Sequence, residues 1–158
     1  MCGAAARPPV RIRRMRCACA RVLDLFAGSG QLGIEALSRG AARCVFIDSS
    51  REACAVVRQN LKAAGLFEKA SVAETAAEMY LAACRERFDL VLLDPPYRQG
   101  TVAVLLPAVA AVTAPGGTVL AETEHGAPLP ERCGTLTLKK QYKYGTVALA
   151  RYEADAEF

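Results

Sequence analysis

The chain has 158 residues, of which 53% are hydrophobic, and a formal net charge of +4 at pH 7. This length suits one domain with one buried core, and this hydrophobic content excludes a disordered chain. No apolar run approaches the roughly 20 residues that span a bilayer, and no secretory signal follows the basic N-terminus. We therefore expect a monomeric, cytoplasmic protein with no membrane contact.

The positive charge is concentrated at the start of the chain. Residues 1–21 hold six of the 20 Lys and Arg residues and none of the 16 Asp and Glu residues. A compact basic arm suits contact with phosphates, so residues 1–20 are predicted to be a poorly ordered arm that binds nucleic acid. A solvated tail without function, or a wrongly chosen start codon, explains the composition equally well. The candidate contacts are Arg11, Arg13, Arg14 and Arg16.

Predicted strands and helices alternate from residue 21 onwards. Apolar runs predict strands at 21–26, 43–48, 70–73, 88–93 and 118–122. Helical spacing and capping residues predict helices at 31–39, 51–64, 75–87 and 101–112. A Pro-Gly-Gly turn is predicted at 115–117, and β-rich stretches at 134–141 and 145–152 predict a closing hairpin. Residues 21–153 are therefore predicted to form one α/β domain: a Rossmann-like, doubly wound, mostly parallel sheet with helices on both faces and a C-terminal antiparallel hairpin.

A glycine-rich loop follows the first predicted strand. Gly28, Gly30 and Gly33 fit the pattern Gly-x-Gly-x-x-Gly, and Asp48 closes the next strand. A NAD site, with Asp48 on a ribose, is one interpretation. Asp24 argues against it, because a carboxylate at this strand end would repel a pyrophosphate and attract an ammonium group. The bland alternative for Asp48 is a helix N-cap.

The segment 24–30, Asp-Leu-Phe-Ala-Gly-Ser-Gly, resembles motif I of class I methyltransferases, whose cofactor is S-adenosylmethionine. That cofactor is cationic at sulfur, and its ribose has two free hydroxyls that Asp48 can bind in a bidentate manner. Glycines let the backbone approach it without a Cβ clash. In such enzymes an acid after the third strand often faces the adenine, and Glu74 is the nearest one. The predicted cofactor-binding residues are Asp24, Phe26, Ala27, Gly28, Ser29, Gly30, Asp48, Ser49, Glu74 and Asp94.

The most specific motif is Asp94-Pro95-Pro96-Tyr97, directly after the apolar strand at 88–93. Its position at the carboxyl end of a strand is where doubly wound folds bind ligands. An amino group conjugated to a base is a poor nucleophile, because its lone pair is delocalised into the ring. Acceptance of its two protons by the Asp94 carboxylate and the Pro95 carbonyl would return electron density to the nitrogen. Tyr97 could stack on the base. The alternative is a plain Pro-Pro turn.

Other features exclude related chemistry. The chain lacks a Pro-Cys dipeptide, so the nucleophilic cysteine of cytosine-C5 methylation has no candidate. Restriction-type DNA methyltransferases need a target-recognition domain, for which 158 residues leave no room. The seven cysteines show no Cys-x-x-Cys spacing, and the single histidine, His125, has no cysteine near it. We therefore expect no metal site and interpret most cysteines as small buried hydrophobic residues.

Taken together, the segments Leu23–Gly30, Gly33–Gly40 and Asp94–Tyr97 resemble the bacterial RsmD family, whose members methylate a guanine N2 of 16S ribosomal RNA. The resemblance covers about Arg21 to Tyr152 and includes Glu122 and the stretch 140–145. It implies that 94–97 grip the guanine and that 24–30 with Asp48 bind S-adenosylmethionine, which leaves as S-adenosylhomocysteine. It also implies that the partner is 16S rRNA or an assembly intermediate of the small subunit.

The chain departs from the family pattern at its start. Family members usually begin with a basic β-hairpin and an Arg-Pro-Thr segment that leads into a helix, whereas only about 20 residues precede the first strand here. Three alternatives therefore stay open. They are an N-methyltransferase for another RNA base, DNA adenine or a protein glutamine, an inactive remnant that binds cofactor and RNA, and a nicotinamide oxidoreductase.

Overall fold

The computed structural model describes residues 17–96 and 100–156. Tyr97 and the arginines predicted to contact RNA, at positions 11, 13, 14 and 16, lie outside these ranges, so their roles stay predictions. Cys17 and Ala20 are buried among core residues, and the Ala42 N–H donates to the Ala20 carbonyl at 2.8 Å. The packed part of the chain therefore includes residues 17–20, just before the first predicted strand.

One sheet of eight strands organises the described residues, in the order β3-β2-β1-β4-β5-β8-β7-β6. The strands are β1 Arg21–Leu25, β2 Arg43–Asp48, β3 Ala70–Glu74, β4 Phe88–Leu93, β5 Thr113–Glu124, β6 Arg132–Cys133, β7 Leu136–Tyr144 and β8 Val147–Ala154. The helices are α1 Gln31–Ser38, α2 Arg51–Ala64, α3 Ala77–Ala83 and α4 Thr101–Val112, with a 3₁₀ helix at Phe67–Lys69. Strands β1 to β5 pair in parallel, and β6, β7 and β8 are antiparallel additions. The predicted α/β fold with a C-terminal hairpin is confirmed.

Both faces of the sheet are covered, which explains the apolar run Leu90–Leu93 in β4. Val91 and Leu93 belong to a core cluster with residues of α3 and α4. Leu90 and Leu92 point the other way, into a second cluster with residues of α1 and α2. None of the helices among the described residues is long and apolar enough to cross a membrane.

The segment predicted as a turn at 115–117 is instead a bulge inside the long strand β5. Phe88 pairs with Thr113 and Leu90 pairs with Thr118. Between these two pairs β5 therefore contains more residues than β4, and the extra residues form the bulge. A Cβ at Gly117 would lie 2.8 Å from the Ala114 carbonyl oxygen, so only glycine allows this close approach. The turn prediction was therefore wrong, because a bulge and a turn require the same residue types.

Two other boundaries differ from the prediction. Helix α3 ends at Ala83 rather than near 87, and Cys84 adopts extended backbone angles, because the following residues must run straight into β4. Glu86 in this extended segment forms an ion pair with Arg43 at 3.1 Å. The hairpin turn lies at Gly145 and Thr146, where the second β-rich stretch was predicted to begin, because Gly145 adopts the φ of +60° that the reversal requires.

The strand order fixes where a ligand can bind. β1 and β4 are neighbours, with β2 and β3 on one side and β5 on the other. The chain therefore leaves the carboxyl ends of β1 and β4 in opposite directions, which opens a crevice between them. The loop at 26–30 and the segment that begins at Asp94 lie at this crevice.

Gly33 tests the packing of α1 on β2. A Cβ at this position would lie 2.4 Å from Phe46 Cε1 and 2.8 Å from Cys44 Sγ. Gly33→Ala should therefore lower the free energy of unfolding by about 1–3 kcal/mol through overpacking. Helix propensity alone would raise the free energy of unfolding by about 1 kcal/mol. The sign of the change in urea denaturation therefore distinguishes overpacking from helix propensity.

A double-mutant cycle provides the control. Phe46→Leu removes the ring that the new methyl group would meet, so the losses from Gly33→Ala and Phe46→Leu should be less than additive. A Gly33→Ala protein at least as stable as wild type would show that the helix does not depend on this close contact.

Candidate active site

The loop between β1 and α1 has an unusual backbone. Phe26, Gly28 and Gly30 have φ values of +58°, +61° and +81°. For Phe26 the left-handed conformation carries a penalty of roughly 1–2 kcal/mol, which surrounding structure must offset. The Ala27 N–H donates to the Ile47 carbonyl at 2.9 Å, and the Gly30 N–H donates to the Ala27 carbonyl at 2.8 Å. The loop is thus held tightly, with Gly28 and its neighbour Ser29 exposed at the crevice.

Asp24 lies beneath this loop and is 2% exposed. Its Oδ2 atom accepts a hydrogen bond from the Gly33 N–H at 3.1 Å, so it satisfies a backbone donor in the first turn of α1. Burial raises the pKa of Asp24 well above its usual range, the Gly33 N–H opposes this, and the charges of Asp94 and Asp48 add to it. Asp24, Asp48 and Asp94 therefore lie within electrostatic range of one another at the ends of β1, β2 and β4.

Asp48 at the end of β2 is the residue that joins this region to the loop. Its Oδ2 accepts from the Gly28 N–H and its Oδ1 from the Ser50 N–H, each at 2.9 Å. The N-cap of α2 is Ser50, whose Oγ accepts from the Ala53 N–H at 3.1 Å, so the N-cap alternative for Asp48 was wrong. A carboxylate offers about four acceptor positions, so both fixed oxygens keep capacity for a ligand.

The surroundings of Asp48 include one predicted residue and one that sequence reasoning missed. Glu74 pairs with Asp48 in register and is exposed, which leaves its predicted role toward adenine open. Asn60 on α2 was not predicted: its Nδ2 donates to the Ser29 carbonyl at 2.9 Å and so fixes the loop from behind. An asparagine on a polar helix face carries no signal for such a contact.

The tetrapeptide begins where β4 ends. Asp94 is half-buried, Pro95 is buried and Pro96 is exposed. Asp94 lines a small cavity together with Glu122 and a set of leucines, Leu32, Leu92, Leu93, Leu120 and Leu149. Glu122 is 2% exposed and was not among the predicted site residues. The sequence feature that could have identified Glu122 is an acid within the apolar strand β5. Ala121 pairs with Leu93, so Glu122 follows at the same level as Asp94.

A larger cleft of about 160 Å³ opens beside this cavity. It lies between the start of α4 and the segment after β5, and Glu122 lines both spaces. The other lining residues are Gly100, Val102, Ala103, Thr123, Glu124, Ala127, Pro128 and Leu129. This cleft combines carboxylate acceptors with apolar walls, which suits a planar group that carries hydrogen-bond donors.

Sequence comparisons identify relatives across almost the whole chain. Residues 12–153 match the family model described as Conserved hypothetical protein 95. YlbH of Bacillus subtilis, whose name describes an rRNA methyltransferase, is 39% identical over 138 residues, 84% of this chain and 75% of that protein. Ribosomal RNA small subunit methyltransferase D of Escherichia coli K12 is 32% identical over 142 residues, 87% of this chain and 70% of that protein.

Solved structures have the same fold. A conserved hypothetical protein of Streptococcus pyogenes superposes with a TM-score of 0.86 at 32% identity and covers 96% of this chain and 97% of that one. The methyltransferase SMU.776, solved in complex with S-adenosylhomocysteine, has a TM-score of 0.79 at 14% identity over 93% of this chain and 49% of that one. The fold is therefore that of S-adenosylmethionine-dependent methyltransferases. On the family match and the identity to the Escherichia coli enzyme, the chain belongs to the Conserved hypothetical protein 95 family, which is the RsmD family of rRNA methyltransferases.

Proposed function

We propose that the protein transfers a methyl group from S-adenosylmethionine to the N2 amino group of a guanine in 16S ribosomal RNA or in an assembly intermediate of the small subunit. The observation that carries this proposal is the position of Asp94 beside the Asp24–Gly30 loop at one crevice. The names of YlbH and the Escherichia coli relative support ribosomal RNA as the substrate.

The residues of the crevice fit the proposed cofactor. A Cβ at Gly28 would meet no atom within 4 Å, so this exposed backbone leaves room for a ligand. Asp48 would bind the two ribose hydroxyls through the free acceptor positions of its fixed oxygens. The Asp48 and Asp94 carboxylates near Asp24 favour a sulfonium and an ammonium group and disfavour the pyrophosphate of NAD. When bound, S-adenosylmethionine supplies a methyl group activated by the positive charge on sulfur.

Asp94 and Pro95 would prepare the amino group. The Asp94 carboxylate and the Pro95 carbonyl each accept one amino proton, which turns the nitrogen lone pair toward the methyl group. The methylated nitrogen must release one proton, which Asp94 would receive. Orientation and electrostatics then supply the rate without a covalent enzyme intermediate.

The carboxylates near Asp94 favour guanine among the bases. Guanine presents two adjacent kinds of donor on its pairing edge, the N1–H and the N2 amino group, whereas adenine and cytosine present an acceptor beside their amino group. Glu122 and Glu124 line the cleft beside Asp94, so its acceptors match the donor edge of guanine. The target base must leave its stack to enter such a site, as in other base-modifying enzymes.

Replacement of Asp94 tests the chemistry. Asp94→Ala should lower the rate of tritiated methyl transfer to unmodified small ribosomal subunits by about a hundredfold or more, because one orienting acceptor is lost. Calorimetry should show that its Kd for S-adenosylhomocysteine stays within about tenfold of wild type. Nucleoside analysis of the product should identify N2-methylguanine.

A matched control removes a carboxylate far from the crevice. Glu68 is exposed in the 3₁₀ helix before β3, and Glu68→Ala should transfer methyl groups at the wild-type rate. Full activity of Asp94→Ala would refute its role, a different methylated nucleoside would refute guanine, and tight binding of NADH in place of S-adenosylhomocysteine would refute the cofactor.

Asp48→Asn tests the cofactor site separately. The amide keeps the shape of the side chain but replaces one acceptor oxygen by a donor, so a hydroxyl or a backbone N–H loses its partner. A lost hydrogen bond to a charged group corresponds to about 1.5–3 kcal/mol, so calorimetry should show a Kd for S-adenosylhomocysteine at least about tenfold higher. Unchanged affinity in a variant with a wild-type Tm would show that Asp48 does not hold the cofactor.

A further inference from the structure

We propose that the β7–β8 hairpin binds the phosphate backbone of the substrate RNA and so positions the target base at Asp94. The residues concerned, called the basic hairpin below, are Lys139, Lys140, Tyr142, Lys143 and Tyr144. This proposal rests on the proposed function, because it assigns to the same site a surface that holds the rest of its substrate.

The basic hairpin has the composition of a nucleic-acid-binding surface. Its three lysines are exposed, and Tyr144 is 37% exposed. Lys140 Nζ lies 5.0 Å from the centre of the Tyr142 ring, a cation–π contact that holds both side chains at the surface. Lysines neutralise phosphates, and tyrosine rings stack on unpaired bases.

The lysines of the basic hairpin differ in their partners from three arginines at the protein surface. Arg21, Arg43 and Arg132 each form an ion pair with a carboxylate. Among the described residues, no carboxylate lies within ion-pair distance of a lysine of the basic hairpin. Strand β7 itself contains no acid. Their charge is therefore available to a partner from outside.

Strand register connects the basic hairpin to the active site. Tyr142 pairs with Leu149, and Leu149 pairs with Glu122. Directly paired residues share one face of a sheet, and Leu149 and Glu122 line the same cavity as Asp94. With strands about 4.8 Å apart, Tyr142 is three strands away from β4, or roughly 15 Å. Lys140 and Tyr144 alternate with Tyr142 onto this same face, whereas Lys143 points to the other face beside the hairpin turn.

The turn of the basic hairpin lies at the same end of the sheet as the crevice, where the parallel strands have their carboxyl ends. Tyr144 pairs with Val147, which pairs with Glu124 at the carboxyl end of β5. The His125 N–H donates to the Thr146 carbonyl at 2.9 Å and ties the turn to the segment that lines the larger cleft. RNA that lies across the carboxyl ends of these strands can therefore contact the basic hairpin and the crevice at the same time.

The charge of the crevice makes a separate phosphate contact necessary. The Asp48 and Asp94 carboxylates suit a cationic cofactor and a donor edge, but they repel phosphates. At physiological salt the Debye length is about 8 Å, so cations roughly 15 Å from Asp94 can hold the backbone without neutralising the site.

Edge protection is the alternative explanation of the lysines. β6 pairs only with Leu136 and Thr137, so among the described residues the outer edge of β7 beyond Leu138 has no strand partner. Charged residues on such an edge prevent pairing with other chains. This role would affect aggregation, whereas the proposed role affects affinity for RNA.

The triple variant Lys139→Gln/Lys140→Gln/Lys143→Gln separates these explanations. With unmodified small ribosomal subunits its KM should rise about tenfold or more, while kcat stays within about twofold and the Kd for S-adenosylhomocysteine is unchanged. The slope of log affinity against log salt for 16S rRNA should fall by about 2–3, because three phosphate contacts are lost. A rise in KM without a fall in kcat is not expected from damage to the fold.

The matched control is Lys62→Gln/Lys69→Gln/Arg85→Gln. All three residues are exposed, Lys62 and Lys69 lie shortly before the opposite edge strand β3, Arg85 precedes β4 at the end of that strand away from the crevice, and the change in net charge is the same. The control should keep wild-type KM and salt dependence. Equal KM and salt slope in the two triple variants would overturn the proposal, and so would aggregation of the hairpin variant with an unchanged KM for its soluble fraction.

Failure of the proposed function has a different signature. If the wild-type protein transfers no methyl group to small subunits, guanine methylation there is refuted. The hairpin is then judged from direct binding of 16S rRNA alone: a selective loss in the hairpin variant supports an RNA-binding surface, and equal affinity of the two variants refutes it.

Discussion

The parallel pairing of β1 with β4 is the constraint on which the rest of the site depends. Because β2 and β3 follow β1 on one side and β5 follows β4 on the other, the two chain segments that leave these strands diverge and expose their backbone. Asp24 near the end of β1 and Asp94 just after β4 then come within electrostatic range of each other. The two acids and the glycine-rich loop are thereby brought together at one crevice, as the proposed function requires.

Hydrogen bonds and close packing make this arrangement rigid. The Gly33 N–H satisfies the buried Asp24, the absence of a side chain at Gly33 lets α1 approach Phe46, and the Asp48 carboxylate fixes the loop through the Gly28 N–H. Each contact uses a residue of the glycine-rich motif for a different purpose. The motif is therefore a packing requirement as well as a ligand-binding pattern, which explains why its spacing predicts the turn and the helix together.

The sequence predicted those parts of the structure in which local pattern and tertiary environment agree. β2 and β4 have the predicted bounds, because both are mostly apolar and an acid marks their carboxyl ends: Asp48 closes β2 and Asp94 follows β4. The prediction failed where tertiary contacts determine the local structure. Helix α3 is shorter than predicted because the chain must continue into β4. Residues 115–117 form a bulge because the parts of β5 before and after them both pair with β4. In the candidate site, Asp24, Asp48 and Asp94 were predicted from their positions at strand ends, and the structure brings them to one crevice. Asn60 and Glu122 were missed, because only strand register and helix packing bring them to the crevice.

Charge separation explains how one small sheet can bind two ligands of opposite charge. A cationic cofactor requires acids at the carboxyl ends of β1, β2 and β4, and these acids exclude phosphate from the same place. The antiparallel strands β8 and β7 extend the sheet beyond β5 and carry lysines to a distance at which solvent screens them from the acids. The continuous hydrogen-bonded register from Glu122 through Leu149 to Tyr142 keeps that distance fixed. The terminal hairpin thus does more than close the edge of the sheet, because it places positive charge where a polyanion with its base in the crevice requires it.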